Sequence, residues 1–246
     1  MIVIMVKMRN IPKRLSQKAL NVLPAELAYN YYCEKAYRSE KSQTGKEYIR
    51  LQKTWNRDII KKLEKYAIGS EKMIGIGAFY GLVEMSYASR FKNITCVDHE
   101  NYLPKWAPNN INTYITNIDS GQWTMPTDEG MFDLCLFVET VEHLRWSPLP
   151  ILKWIRKNSH LAVISTPDDK EWPPMPNKPW VQSGHFTKIP KAKPNSKGNP
   201  SPMDHCKQYD QVEFIELLDH AGFRVMEMFR TGEGKHQMVA IVTPRV

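Results

Sequence analysis

The chain has 246 residues, 42% of them hydrophobic, and its formal net charge is +8 at pH 7. This length is sufficient for one α/β domain with an appended region. The four cysteines form no C-x-x-C pair, so neither a disulfide framework nor a zinc site is indicated and we expect a reduced, cytoplasmic setting: Cys33, Cys96, Cys135 and Cys206. The apolar opening Met1–Val6 is too short for a signal-peptide core or a membrane span, so we predict no integral membrane association.

The positive charge is concentrated near the N-terminus. Residues 1–72 contain 16 Lys and Arg against seven Asp and Glu, a net charge of +9, whereas residues 73–246 have a net charge of −1. A basic surface attracts phosphates or acidic lipids. The alternative is a solvated helix face whose lysines serve solubility, because acidic residues are interleaved with the basic ones. We treat residues 1–71 as a basic helical region and residues 72–246 as the second unit.

Residues 9–66 are predicted to be helical. Pro24 fits the first position of a helix, and the polar stretch 39–45 interrupts the pattern. Apolar residues then recur at helical spacing, which predicts an amphipathic helix packed against the rest of the protein: Tyr48, Leu51, Trp55, Ile59, Leu63 and Tyr66.

A strand, a glycine turn and a helix are predicted over residues 73–85. Gly77 and Gly81 suit turn conformations that a Cβ would penalise, and Val83, Tyr87 and Phe91 recur at helical spacing. Such a turn directs backbone N–H groups at a ligand over the carboxyl end of the strand. The glycine pattern matches neither G-x-G-x-x-G nor a P-loop, so a strand–turn–helix without a ligand remains the alternative.

Further apolar segments predict the rest of a parallel sheet. The stretch 93–98 ends in Asp98, whose carboxylate is suited to accept both hydroxyls of a ribose. The stretch 111–116 is followed by Asp119, and the continuous apolar run 132–138 is typical of a strand buried on both faces. The stretch 161–167 is a fifth strand.

The second half closes with a long proline-rich segment and three regular elements. A helix is predicted over 147–157, followed by the segment 168–203, which has no convincing period. We expect this segment to be a lid over an acceptor site, and a disordered insertion is the alternative. Asp210 is placed to cap the next helix. Two last strands are predicted over 223–230 and 237–243.

The ordered set of segments resembles the class I S-adenosylmethionine-dependent methyltransferases. The pieces that carry the resemblance are residues 74–81, 97–98, 117–119, 132–134 with 139–144, 164–167 and 221–223. The resemblance implies an α/β fold: a doubly wound, mostly parallel seven-stranded sheet whose last strand is antiparallel, here with an N-terminal helical region. It also implies S-adenosyl-L-methionine as the cofactor.

The same resemblance implies which residues contact the cofactor. Glycines of the turn line its methionine end, Asp98 holds the ribose, Asp119 lies beside the adenine, and the pair after the fourth strand closes over the methionine. The cofactor-binding set is Gly75, Gly77, Ala78, Phe79, Gly81, Asp98, His99, Asp119, Glu139 and Thr140. Gly75 departs from the family pattern, in which an acid at this position orders the loop and reaches the amino group of the cofactor.

Methyl transfer to oxygen or nitrogen can require a base. His143, which follows the fourth strand, and His205 are the candidate catalytic residues, and His185 and Tyr209 are candidate substrate-binding residues. A structural hydrogen-bonding role is the alternative for each histidine. No metal site is predicted, because these histidines do not show a local ligand spacing.

The acceptor is predicted from the segment after the fourth strand. No Asn-Pro-Pro-Tyr follows this strand, and residues 139–144 resemble the branch that methylates small molecules, sugars and lipids. Two alternatives stay open: an RNA methyltransferase that uses the basic region, and a non-catalytic relative suggested by Gly75. The sequence predicts no oligomeric state.

Overall fold

The computed structural model describes residues 16–20, 22–67, 70–119, 123–126, 130–144, 147–168, 182–183 and 207–245. Within these ranges no helix has the length and apolarity that crossing a membrane requires. The first elements are three helices, α1 (Gln17–Leu20), α2 (Ala25–Ser39) and α3 (Gln43–Leu63). They confirm the predicted helices and the polar break, which ends at Ser42, whose hydroxyl accepts a hydrogen bond from Gly45 N at 3.0 Å.

Seven strands form one mixed sheet. Its members are β1 (Ser70–Ile76), β2 (Phe91–Asp98), β3 (Ile111–Ile115), β4 (Phe132–Phe137), β5 (Ser159–Pro167), β8 (Phe223–Thr231) and β9 (Gln237–Pro244). The order is β3-β2-β1-β4-β5-β9-β8. The first five strands pair in parallel, and β9 is antiparallel to both β5 and β8. This topology confirms the predicted fold class.

Helices cover both faces of the sheet. The remaining helices are α4 (Leu82–Ser86), α5 (Leu149–Asn158) and α6 (Gln211–His220). Successive side chains of a strand point to opposite faces. In β4, Leu134 and Leu136 pack in the cluster that contains α2, α3 and α4, whereas Cys135 and Phe137 pack in the cluster of α5 and α6. The doubly wound arrangement therefore follows from strands that are apolar on both sides.

The sequence patterns predicted the bounds of α6 correctly and those of α4 only in part. The Asp210 side chain accepts a hydrogen bond from Glu213 N at 2.9 Å, and the Glu213 carboxylate accepts one from Asp210 N at 3.0 Å, so the predicted cap is part of a capping box. The helical spacing that runs to Phe91 is misleading, because α4 ends at Ser86. Phe91 instead opens β2, where it pairs with Ser70 of β1.

The predicted lid lies almost entirely outside the described residues. The described part of 168–203 comprises Asp168, which bridges to Tyr209, and the two-residue strand β6 (Gln182–Ser183). Strand β6 pairs in parallel with β7 (Lys207–Gln208). The lid remains a prediction.

The apolar stripe of α3 packs against the sheet, with one exception. Ile59, Ile60 and Leu63 are fully buried, whereas Leu51 is 45% exposed. Nine positions at about 100° per residue put Leu51 on the opposite side of the helix from Ile60. The stripe read from the sequence was therefore wrong at Leu51, since the buried face is centred further round the helix.

We expect Ile59→Ala to lower the free energy of unfolding by ~2–5 kcal/mol, because it leaves a cavity in the packed interface between α3 and the sheet. Leu51→Ala is the matched control on the same helix and should cost under about 1 kcal/mol. Urea unfolding monitored by circular dichroism measures both. Equal effects of the two substitutions would contradict the assigned buried face.

Candidate functional site

A pocket lies at the carboxyl ends of β1 and β4, beneath α3. Strand β1 sits between β2 and β4, so the direction of winding reverses here, where open α/β sheets bind their ligands. The pocket has a volume of about 510 Å³, part of it open to solvent. It is lined by Tyr48, Gln52, Trp55, Asn56, Ile76, Gly77, Ala78, Leu82, Val83, Glu84, Leu136, Val138 and Glu139.

The glycine turn after β1 packs tightly against the segment after β4. Gly77 has φ +70°, and a Cβ there would lie 2.4 Å from Thr140 Oγ1, so both conformation and space require glycine. Thr140 Oγ1 donates to the carbonyl oxygen of Val138 at 3.0 Å. Gly81 also has a positive φ, of 63°, but a Cβ there would meet Leu103 at 2.6 Å. Gly77 and Ala78 therefore line the pocket, whereas Gly81 serves the packing behind it.

Asp98 joins the end of β2 to the glycine turn. Its carboxylate accepts hydrogen bonds from Phe79 N at 2.9 Å and from His99 N at 2.8 Å, and it lies 2.7 Å from His99 Nδ1. Phe79 has φ +49°, an uncommon conformation for a residue with a side chain. The bond from Phe79 N stabilises this conformation, so Asp98 orders the turn.

Aromatic rings enclose the same turn. The Phe79 ring centroid lies 5.3 Å from that of Tyr48 on α3 and 4.8 Å from that of Tyr102. Tyr102 Oη is 2.7 Å from Nε2 of His99, whose other ring nitrogen faces Asp98. These contacts hold the turn, the residues after β2 and α3 together in one aromatic cluster.

Glu139 presents a half-buried carboxylate to the pocket. Its Oε1 accepts from Ser165 Oγ at 2.6 Å and its Oε2 accepts from Gln237 Nε2 at 2.8 Å. Its φ of 50° is also uncommon, and its backbone N donates to Ser165 Oγ. Burial raises the pKa of Glu139 to about 7, and the Ser165 hydrogen bond opposes this shift.

Glu142 and His143 lie in a short 3₁₀ helix, Val141–His143, directly after Thr140. Glu142 is buried, and burial followed by repulsion from Glu139 holds its pKa well above the ordinary value. His143 Nε2 is 3.8 Å from Glu142 Oε1, and the side chain of His143 is 23% exposed. Tyr209 is fully buried, and burial, then the charge of Glu142, raises its pKa. These groups form a polar cluster beside the pocket.

The other predicted site residues are more scattered. Asp119 lies in the turn after β3, where its N donates to Asn117 Oδ1 at 3.0 Å. Gly75 lies beneath Glu84 and does not line the pocket. His185 and His205 lie outside the described residues. Within the described ranges no group of three or more His, Cys, Asp or Glu is arranged to hold a metal ion.

Sequence reasoning missed residues in two parts of this site. One part is the face of α3 over the pocket, where Asn56, a polar residue on the buried face of an amphipathic helix, was the available signal. The other is Glu84, an acid in a short helix whose residues are all buried.

No protein-family model matches the chain, and no curated protein sequence matches it significantly. Similar solved structures exist. A methyltransferase from Clostridium acetobutylicum described as S-adenosylmethionine-dependent is 10% identical, with a TM-score of 0.54 over 89% of this chain and 98% of its own. Magnesium protoporphyrin IX methyltransferase from Synechocystis PCC 6803, solved with SAH bound, is 9% identical, with a TM-score of 0.54 over 88% of this chain and 94% of its own.

The N-terminal domain of EvdMO1, also solved with SAH bound, is 18% identical, with a TM-score of 0.53 over 84% of this chain and 86% of its own. At such low identities the likeness concerns the fold, because one fold hosts many functions. The chain has the fold of the class I S-adenosylmethionine-dependent methyltransferases, which its sequence had indicated by the order of its motifs.

Proposed function

We propose that the protein is an S-adenosylmethionine-dependent methyltransferase that binds its cofactor in the pocket at the ends of β1 and β4. The observation that carries this proposal is the pocket itself, which lies at the switch point of the sheet between the glycine turn, Glu84 and Glu139. The structural neighbours solved with SAH bound support it.

The lining groups fit this cofactor in charge. S-adenosylmethionine carries two positive groups, a sulfonium and an ammonium. Among the described residues that line the pocket, the acids are Glu84 and Glu139 and none is basic. An acidic pocket favours a cation over a phosphate ligand.

The residues have distinct tasks in this proposal. Gly77 and Ala78 would face the methionine portion, and Glu139 and Thr140 would close over it. Asp98 would accept the ribose hydroxyls, since a carboxylate offers about four acceptor positions and its protein contacts do not use all of them. The bound cofactor supplies an electrophilic methyl group. The protein mainly positions the acceptor in line with that group and excludes water.

For the acceptor we propose an oxygen or nitrogen of a small molecule, a sugar or a lipid. The segment 139–144, which lacks Asn-Pro-Pro-Tyr, supports this class. The structural neighbour from Synechocystis PCC 6803, whose name states that it methylates a porphyrin, also supports this class. An RNA acceptor gains less support, because several of the described basic residues in the N-terminal region pair with acids. Lys61 lies 3.3 Å from Glu26, and Lys65 lies 2.8 Å from Glu227.

Two experiments test the proposed function. Calorimetric titration of the purified protein with S-adenosylmethionine and SAH should show saturable binding of both at one site. Incubation with methyl-labelled cofactor and cell fractions enriched in RNA, lipid or small molecules should then label one of the last two. Absence of binding would refute the cofactor, and label confined to RNA would refute the acceptor class.

We expect one of the two candidate bases, His143 or His205, to be needed for turnover. Removing the true base should lower kcat by ~100-fold or more while cofactor affinity stays unchanged, because the base acts only on the acceptor. His143→Ala and His205→Ala are compared in steady-state assays, with His160→Ala, an exposed residue on β5, as the control. Full turnover in both candidate variants would show that the transfer is driven by positioning or uses another group.

A further inference from the structure

The space above Gly75 on β1 is filled by the side chain of Glu84. A Cβ placed on Gly75 would lie 2.1 Å from Glu84 Oε1, 2.7 Å from its Cδ and 2.8 Å from its Cγ. Contacts this short mean that the carboxylate of Glu84 occupies the volume into which a side chain of residue 75 would point. Gly75 and Glu84 are therefore matched, since the glycine is what leaves room for the acid.

Among the described residues, no cation lies against the buried acid Glu84. The residue is 4% exposed on the short helix α4. The described groups that interact with it electrostatically are Tyr29 from α2, Cys96 and Asp98 from β2, and Cys135 from β4, and none of these four carries positive charge. Burial, with a smaller contribution from Asp98, raises the pKa of Glu84 to about 7. Retaining such a group costs stability unless a cation binds to it.

The pocket gives a cation access to this carboxylate. Glu84 lines it together with Ala78 and Glu139. Glu139 already uses both of its oxygens, which accept from Ser165 and Gln237. Within the described part of the chain, Glu84 has no ion pair and no hydrogen bond to another side chain. Of the two acids in the pocket, Glu84 thus has the greater acceptor capacity left for a ligand.

We infer that Glu84 binds the ammonium group of the cofactor, so that helix α4 supplies the carboxylate that residue 75 of β1 lacks. This inference rests on the proposed function. An ammonium group presents three donors and pairs well with a buried carboxylate. The glycine on β1 is then a sign that the acid has moved to a neighbouring element, and it gives no reason to regard the site as degenerate.

The first test compares ligands with and without the amino-acid portion. Glu84→Gln keeps the size of the side chain and removes its charge. It should weaken binding of S-adenosylmethionine and SAH by ~10- to 100-fold. Binding of 5′-methylthioadenosine, which has no ammonium group, should change less than about threefold. Calorimetry measures all three affinities, and thermal unfolding verifies that the variant is folded.

The second test moves the carboxylate back to β1. Gly75→Asp alone should collide with Glu84 and weaken binding, and Glu84→Ala alone should weaken it for lack of the acid. The double variant Gly75→Asp/Glu84→Ala removes the collision and restores an acid, so its affinity for SAH should exceed that of either single variant by ~10-fold. Such a rescue would show that residues 75 and 84 are coupled, because substitutions at independent sites add.

The outcomes separate the inference from the proposed function. If the wild-type protein binds S-adenosylmethionine and Glu84→Gln binds it equally well, the inference is overturned and the proposed function stands. If Glu84→Gln weakens 5′-methylthioadenosine as much as SAH, Glu84 shapes the pocket without recognising the ammonium, and the inference again fails. If the wild-type protein binds none of the three ligands, both proposals fail together.

Discussion

Replacing Asp98 with alanine is expected to weaken binding of S-adenosylmethionine by ~30- to 1,000-fold. Two charge-assisted hydrogen bonds to the ribose would be lost, together worth ~2–4 kcal/mol. The same change removes the acceptor for Phe79 N and His99 N, so the turn that lines the pocket loses its anchor on β2. Both consequences act in the same direction. Calorimetric titration of the wild-type protein and the variant measures the difference.

Asp133 offers a matched control at the opposite end of the sheet. Its carboxylate accepts from Glu71 N at 2.7 Å and from Lys72 N at 2.9 Å, at the start of β1. Asp133→Ala should therefore cost a comparable ~1–3 kcal/mol of stability and leave cofactor affinity unchanged. Equal affinities in wild type and Asp98→Ala would show that Asp98 is not part of the site. Equal losses of affinity in Asp98→Ala and Asp133→Ala would show that Asp98 acts only through the general stability of the protein.

The second large effect concerns stability and pH, at Glu84. Its pKa in the folded protein is raised from 4.5 to about 7. The folded state consequently binds more protons than the unfolded state between these values, and the stability of the wild-type protein falls as pH rises through this window. Above pH 7 the burial of the ionised group costs ~3 kcal/mol. Glu84→Gln removes that cost.

We therefore expect Glu84→Gln to be more stable than the wild-type protein by ~3 kcal/mol at pH 8.5 and nearly equal to it at pH 4.5. Urea unfolding at the two pH values measures the difference. Glu227→Gln is a control of opposite sign. Hydrogen bonds from Lys62 and Lys65 lower the pKa of Glu227, so its removal should destabilise the protein above the ordinary carboxylate pKa. A Glu84→Gln variant less stable than wild type at pH 8.5 would contradict the assigned burial cost.

The cofactor affinity and the stability of Glu84→Gln are most informative when they are compared. A substitution that stabilises the free protein and weakens cofactor binding identifies a group whose unfavourable burial is retained for function. Stabilisation without loss of affinity would instead identify Glu84 as a packing residue that evolution has not optimised.

The sequence by itself determined the elements and their order. Apolar runs such as 132–138 are buried on both faces, and a parallel sheet with helices on both sides is the arrangement that satisfies such strands. Asp210 and Glu213 lie within one helical turn of each other, so the capping box could be read locally. Asp98 was placed correctly at the end of β2, because a strand that ends in an acid is also a local pattern.

Only the tertiary structure decided how these pieces meet. Helical periodicity does not show where a helix stops. Helix α4 is shorter than its spacing indicated, because Phe91 belongs to β2 and pairs there with Ser70 of β1. Helical periodicity also does not show which face of α3 is buried. That face depends on how the helix is rotated against the sheet, and in this structure the rotation leaves Leu51 exposed. The position of Glu84 over Gly75 depends on the fold of the intervening turn. An acid that a strand lacks can be supplied by a side chain from another element, because packing in space, and not position in the chain, sets which groups share a pocket.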